Sequence, residues 1–179
     1  MYLLPKPPAP AKHSPPPARL LQLGEGAASV ATFVGAMRAF KRSPVELARV
    51  RGEALDLVAT APAFDELAEV RRVFQYVRDH VRYVRDVNGV DTLQTPTATL
   101  ERMQGDCDDK SLLLAALLES IGYATRFVVS ATNPSRGANH VYLEAWVPRV
   151  SKWIPLEPSV RRFLFGKALP SFQPVQRFA

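Results

Sequence analysis

The stretch that most constrains the fold is Gly105-Asp106-Cys107-Asp108-Asp109-Lys110, followed at once by Ser111-Leu112-Leu113-Leu114-Ala115-Ala116-Leu117-Leu118. A glycine turn running into so apolar a segment predicts the start of a core helix. The chain's single cysteine sits at that start, where unpaired backbone N–H groups and the helix macrodipole favour an anion. A thiol held there has the surroundings of a nucleophile. On this stretch alone, a small apolar side chain opening a buried helix is the commoner reading.

The rest of the chain sets bounds on both readings. Its 179 residues suffice for one domain with a substantial core and some appendages. A lone cysteine excludes an internal disulfide. The N-terminus lacks the charged head, apolar run and small-residue cleavage site of a secretory leader. The apolar run Leu112–Leu118 is far too short to cross a bilayer, so a soluble, cytoplasmic protein without a membrane partner is expected. The net charge of +6 is uneven: residues 61–122 hold 7 basic against 11 acidic groups, which makes the cysteine segment acidic inside a basic chain. Lys and Arg are scattered and match no nucleic-acid fingerprint. Nucleic acid is therefore not the expected partner.

Residues 1–18 contain seven prolines and read as an extended arm rather than part of a core. Val30, Phe33, Val34, Met37 and Phe40 then recur at helical spacing within 27–41. Ser43-Pro44-Val45-Glu46 looks like a second helix start, with a serine cap, proline at the first turn and Glu46 placed for a capping box. A third helix opens at Asp65 and Glu66, with Phe64, Leu67, Ala68, Phe74, Val77 and Val81 as its buried face. Residues 86–95 read as a loop and 97–103 as a short helix before the cysteine turn. Beyond Gly122 the pattern becomes that of strands. They cover 123–131, 140–147 and 152–156, and in the second Val141, Leu143, Ala145 and Val147 alternate with Tyr142, Glu144 and Trp146. Helices followed by an antiparallel meander define an α+β fold, with the cysteine helix packed on a small antiparallel sheet. Residues after Ser159 carry no clear pattern.

Of the three histidines, His13 lies in the arm and His80 at a helix end, where it caps or faces solvent. His140 begins the second strand, and Glu157 ends the third. Residues facing each other across antiparallel strands lie ~5 Å apart, so His140 and Glu157 can meet. Cysteine at a helix start, histidine on the next strand and a carboxylate on the one after are the parts of a nucleophile, a proton carrier and its orienting acid.

Residues 105–128 (GDCDDKSLLLAALLESIGYATRFV) resemble the core motif of the transglutaminase-like superfamily, papain-like in fold. His140–Val147 resembles its histidine strand, Lys152–Ser159 its tryptophan-to-acid strand, and residues 81–86 (VRYVRD) the helix exit before its cysteine loop. The resemblance covers 64–160. It implies Cys107 as nucleophile, His140 as base and acid, and Glu157 as orienting acid, although aspartate is usual in the last position. It implies a cysteine-dependent acyl transfer through a thioester, acting on amide bonds of a peptide or protein without a cofactor, with hydrolysis preferred to cross-linking. Compact relatives of this type also imply a phage or virion setting, in which the fold serves as a structural or assembly-linked subunit. On that alternative the proline-rich arm and basic tail would dock assembly partners.

Around the triad, the Cys107 backbone N–H and a side-chain amide from Gln94 or Gln104 are candidate oxyanion donors. Asp106, Tyr142 and Trp146 are candidate cleft residues. Asp106, Asp108 and Asp109 oppose a thiolate by like charge. They read either as helix caps or, with His140 or Glu157, as ligands for a hard cation; no loop spacing supports the metal. The resulting organisation is an arm at 1–24, a helical segment at 25–60, a core at 61–160 and a basic tail at 161–179.

Overall fold

The computed structural model describes residues 19–20, 27–85, 92–135 and 137–179. The readings of the 1–18 arm, of His13 and of the 86–91 loop lie outside these residues. The described elements, in order, are β1 (Arg19–Leu20), α1 (Ala27–Lys41), α2 (Pro44–Val58), α3 (Glu66–His80), β2 (Arg82–Tyr83), β3 (Thr92–Leu93), α4 (Pro96–Arg102), β4 (Gln104–Gly105), α5 (Cys107–Ser120), β5 (Thr125–Ser130), β6 (His140–Val147), β7 (Lys152–Leu156) and β8 (Gln176–Phe178). A single 3₁₀ turn, Pro148–Val150, joins β6 to β7.

Helix α5 is the axis of the molecule. Residues 112–118 are fully buried because α1, α2, α3 and α4 pack on α5 from one side and β5 and β6 from the other. A helix that is apolar all round needs such a surround. Burying each of its leucines contributes roughly 1.5–3 kcal/mol relative to exposure. The sheet has the order β7-β6-β5-β8, antiparallel throughout. The fold is α+β, as the sequence pattern implies.

The first two helices belong to the same core. Lys41, at the end of α1, is buried; its Nζ donates to Thr125 O at 2.7 Å and pairs with Glu119 Oε1 at 2.8 Å, tying α1 to both α5 and β5. Desolvation pulls the Lys41 pKa down, and Glu119 opposes that pull. At the start of α2, Ser43 caps the helix by accepting from Glu46 N. The Glu46 carboxylate does not complete a capping box. It turns to α4 and accepts from Thr97 N at 2.9 Å and Thr97 Oγ1 at 2.7 Å, so one acid caps a helix 51 residues away. A long-range capping partner leaves no local spacing to detect.

Phe64 departs from the expected buried face of α3. It is 86% exposed and adopts φ 62, because it belongs to the turn before the Asp65 cap rather than to the helix stripe. The stretch after Ser159 also has a place. Phe163 O accepts from Arg78, Phe165 packs on Phe74 with ring centroids 6.0 Å apart, and β8 adds to β5 with Phe178 opposite Phe127. Arg19–Leu20 pairs with Thr92–Leu93. Among the described residues no helix is long and apolar enough to cross a membrane.

Candidate active site

Three local structures converge on Cys107. Asp106 is the N-cap of α5, its carboxylate accepting from Asp109 N. Upstream, β2 and β4 form a short parallel ladder, Arg82 opposite Gln104 and Tyr83 opposite Gly105, which lays Tyr83 alongside the cysteine turn. Below, Asp109 is buried, and its two oxygens accept from Gln94 N at 2.7 Å and Gln94 Nε2 at 2.6 Å. That clamp fixes the first turn of α5 to the segment before α4.

Gly105 is required by this packing. A Cβ there would lie 2.5 Å from Asp109 Cβ and 2.8 Å from Asp109 Oδ2. Gly105→Ala is therefore expected to displace Asp109 and cost about 1–3 kcal/mol of stability by overpacking. An unchanged denaturation midpoint would contradict this.

His140 and Glu157 meet, as strand pairing anticipates. His140 Nε2 lies 2.6 Å from Glu157 Oε2, and Glu157, 0% exposed, also accepts from Ser159 N at 3.0 Å through Oε1. The longer glutamate side chain spans the gap without losing contact. Cys107 is the other side chain that acts on the His140 ring, close enough to shift its titration. Burial works against an imidazolium here, but hydrogen bonds to Cys107 and Glu157 and their negative charge outweigh it and raise the His140 pKa to about 10.

The folded pKa of His140 thus stands above its ordinary 6.5. Its contribution to stability is complete below pH 6.5 and is lost as pH rises through about 10. Lys110 has the opposite sign. Desolvation, then the nearby Arg161 charge, lower it to about 8, so the folded state gains stability from about pH 8 to 10.5. The His140 contribution is isolated by comparison with His140→Ala. The stability gap between the two proteins is expected to narrow steadily between pH 6.5 and 10, a change on the order of a few kcal/mol. A gap independent of pH would contradict the coupling.

The other predicted residues are placed as follows. Tyr142 is buried and feels the charge of Glu157, though more that of Glu144. Trp146 stands six residues along β6 from His140, roughly 20 Å at ~3.3 Å per residue, and packs on Trp153 with ring centroids 5.7 Å apart. It does not reach Cys107. The Gln94 Nε2 group donates to Asp109 and to Gln104 O, and Gln94 Oε1 accepts from Arg102, so its amide is engaged within the fold. Gln104 Oε1 accepts from Arg82. Ligand atoms of Asp106, Cys107 and Asp108 lie within 4.8 Å of one another. The wider cation set does not assemble, since Asp109 holds Gln94 and Glu157 holds His140. His80 is partly exposed, as a helix-end histidine would be; its ring packs on Tyr76, and its buried Nε2 has no hydrogen-bond partner among the described residues.

Tyr83 is the site residue that sequence reasoning missed. Burial, then the charges of Cys107 and Asp106, raise its phenol pKa, and Arg85 opposes them. The signal lay in the VRYVRD segment, whose parallel pairing with the cysteine turn has no sequence periodicity.

The fold is an α+β domain in which a histidine hydrogen-bonded to a buried acid lies near a helix-start cysteine. The profile of the transglutaminase-like superfamily matches residues 54–158, and the chain belongs to that superfamily. No curated protein matches it by sequence. Among solved structures, a presumptive cysteine protease of Cytophaga hutchinsonii is 13% identical with TM-score 0.52, over 81% of this chain and 54% of that one. LapG of Legionella pneumophila in an EGTA-treated form is 18% identical with TM-score 0.51, over 84% and 81%. The Rad4/XPC nucleotide excision repair complex contains a chain 14% identical with TM-score 0.52, over 82% and 39%. The chain thus spans about half the length of the first of these. At such identities the likeness is one of fold, and the chemistry has to be argued from the site.

Proposed function

We propose that the protein is a cysteine-dependent hydrolase of amide bonds in peptides or proteins. The observation that carries this reading is His140 Nε2 2.6 Å from the fully buried Glu157 carboxylate, with Cys107 near enough to act on the same ring. The Cys107 sulfur attacks the amide carbonyl, and the carbonyl electron pair moves onto oxygen. The Cys107 backbone N–H at the head of α5 and the neighbouring Tyr83 hydroxyl donate to that oxyanion. The C–N bond then breaks, and the His140 proton goes to the leaving amine. Water, deprotonated by the now neutral imidazole, attacks the thioester and releases the acid and the thiol. Glu157 fixes the ring and balances its charge throughout, without taking the proton.

A protein described as a cysteine protease shares the fold, which supports a peptide or protein substrate. The test is incubation with fluorogenic peptide amides and esters, with and without an added primary amine, followed by intact-mass analysis. Hydrolysis predicts a transient acyl adduct on Cys107 and a free acid product even with the amine present. Products carried wholly on the amine would reassign the reaction to transamidation. Absence of any adduct across esters and amides would overturn the enzyme reading.

A further inference from the structure

A cavity of about 400 Å³ opens beside this site, between the end of α3, β2, Lys110 of α5 and the segment after β7. Arg78, Arg82, Lys110 and Arg161 line it, and among the described residues no carboxylate does. Part of this charge serves the fold. Lys110 Nζ donates to Val81 O at 2.6 Å, Arg161 to Asp79 O at 2.6 Å, and Arg78 to Asp79 and to Phe163 O. These contacts satisfy carbonyls around the end of α3, where cations are favoured. Among the described residues Arg82 makes one hydrogen bond, to Gln104 Oε1, and Arg161 one, to Asp79 O, which uses few of the five guanidinium N–H groups of each. Two further lining residues, His80 and Ser159, carry a buried polar atom with no hydrogen-bond partner among the described residues. A buried polar atom without a partner is costly.

The cavity shares neighbours with Cys107 and Glu157. Tyr83 borders it and also feels the Cys107 charge; Lys110 follows Cys107 by three residues on α5; Ser159 N donates to Glu157. Resting on the hydrolase reading, we propose that this cavity is an anion subsite that takes the carboxylate of an acidic side chain in the peptide substrate, next to the scissile bond. A planar carboxylate matches the paired N–H groups of Arg82 or Arg161, and the Ser159 hydroxyl is a further donor on its wall. The crowding of cations around Lys110, which adds to desolvation in lowering its pKa, is what a bound anion would relieve.

Iodoacetate and iodoacetamide alkylate the same sulfur and differ in one carboxylate. Their rate ratio at Cys107 of the full chain therefore reads the local preference for an anion, with the His140 cation common to all proteins compared. The ratio is expected to fall about fivefold in Arg82→Gln/Arg161→Gln, the scale of two partly screened contacts. Both arginines are exposed, so the exchange spares the core. An unchanged ratio overturns the proposal. In a second arm on the wild-type chain, a blocked hexapeptide bearing Glu is expected to slow iodoacetate labelling at about tenfold lower concentration than its Gln twin, as for one charge-assisted contact. Equal slowing overturns the assignment to a peptide carboxylate. Failure of the hydrolase reading would show separately, as an iodoacetamide rate no faster than that of the unfolded chain.

Discussion

Cys107→Ser is expected to lower the rate of amide hydrolysis by at least about 10³-fold while leaving the fold intact. The side chain is half-buried at the head of α5 and changes by one atom, so packing is little disturbed. The chemistry changes far more. A serine hydroxyl must surrender its proton to a base as it attacks. His140 holds its own proton to about pH 10 beside Cys107 and Glu157, and so has no vacancy for a second one at neutral pH. Only a nucleophile that is itself the counter-ion of the imidazolium suits this histidine. Residual activity within tenfold of wild type, measured on the same peptide amide, would show that the sulfur is not the attacking atom.

Glu157→Gln has the second large effect. Glu157 is fully buried, with one oxygen on His140 and the other on Ser159 N. Glutamine keeps the shape but removes the charge that balances the imidazolium, and its amide forces a choice between donating to and accepting from Nε2. By analogy with triads whose acid becomes an amide, kcat is expected to fall by about 10²–10⁴, with a smaller effect on KM. Glu157→Ala is expected to be worse for the fold, because it strands a buried cation, a loss of about 3–5 kcal/mol in comparable pairs. Retention of full kcat in Glu157→Gln would remove the acid from the mechanism.

Much of the frame was legible because it rests on local periodicity. The α1 stripe, the Ser43 cap, the Asp65 start of α3, and the bounds of β6 and β7 follow from spacing and capping chemistry alone. The meeting of His140 with Glu157 was also expected from strand adjacency, though the register, Leu143 opposite Leu156, sets the two diagonally rather than face to face. What the sequence hid is long-range. Glu46 capping α4, Asp109 clamping Gln94 and Lys41 reaching Thr125 each join residues with no shared periodicity. Gln94 has the right chemistry for an oxyanion donor, but nothing local reveals that the fold already engages its amide, nor that Gln104 Oε1 accepts from Arg82. Trp146 shares the alternation of His140, which assigns a side of the strand and not a distance along it. Tyr83 is brought beside the cysteine turn by a two-residue parallel ladder, too short to leave a pattern.

The central claim is that Cys107, His140 and Glu157 act as one coupled unit. Its most direct test is the rate of Cys107 alkylation by iodoacetamide from pH 5 to 9, in the folded chain, the unfolded chain and His140→Ala. A free thiol with pKa near 8.5 is almost wholly protonated at pH 6, so a sulfur paired with the His140 cation is expected to react at least about tenfold faster there than in the unfolded chain. That advantage should vanish in His140→Ala. Equal rates for folded and unfolded chains across the range, or an advantage that survives the loss of His140, would contradict the account.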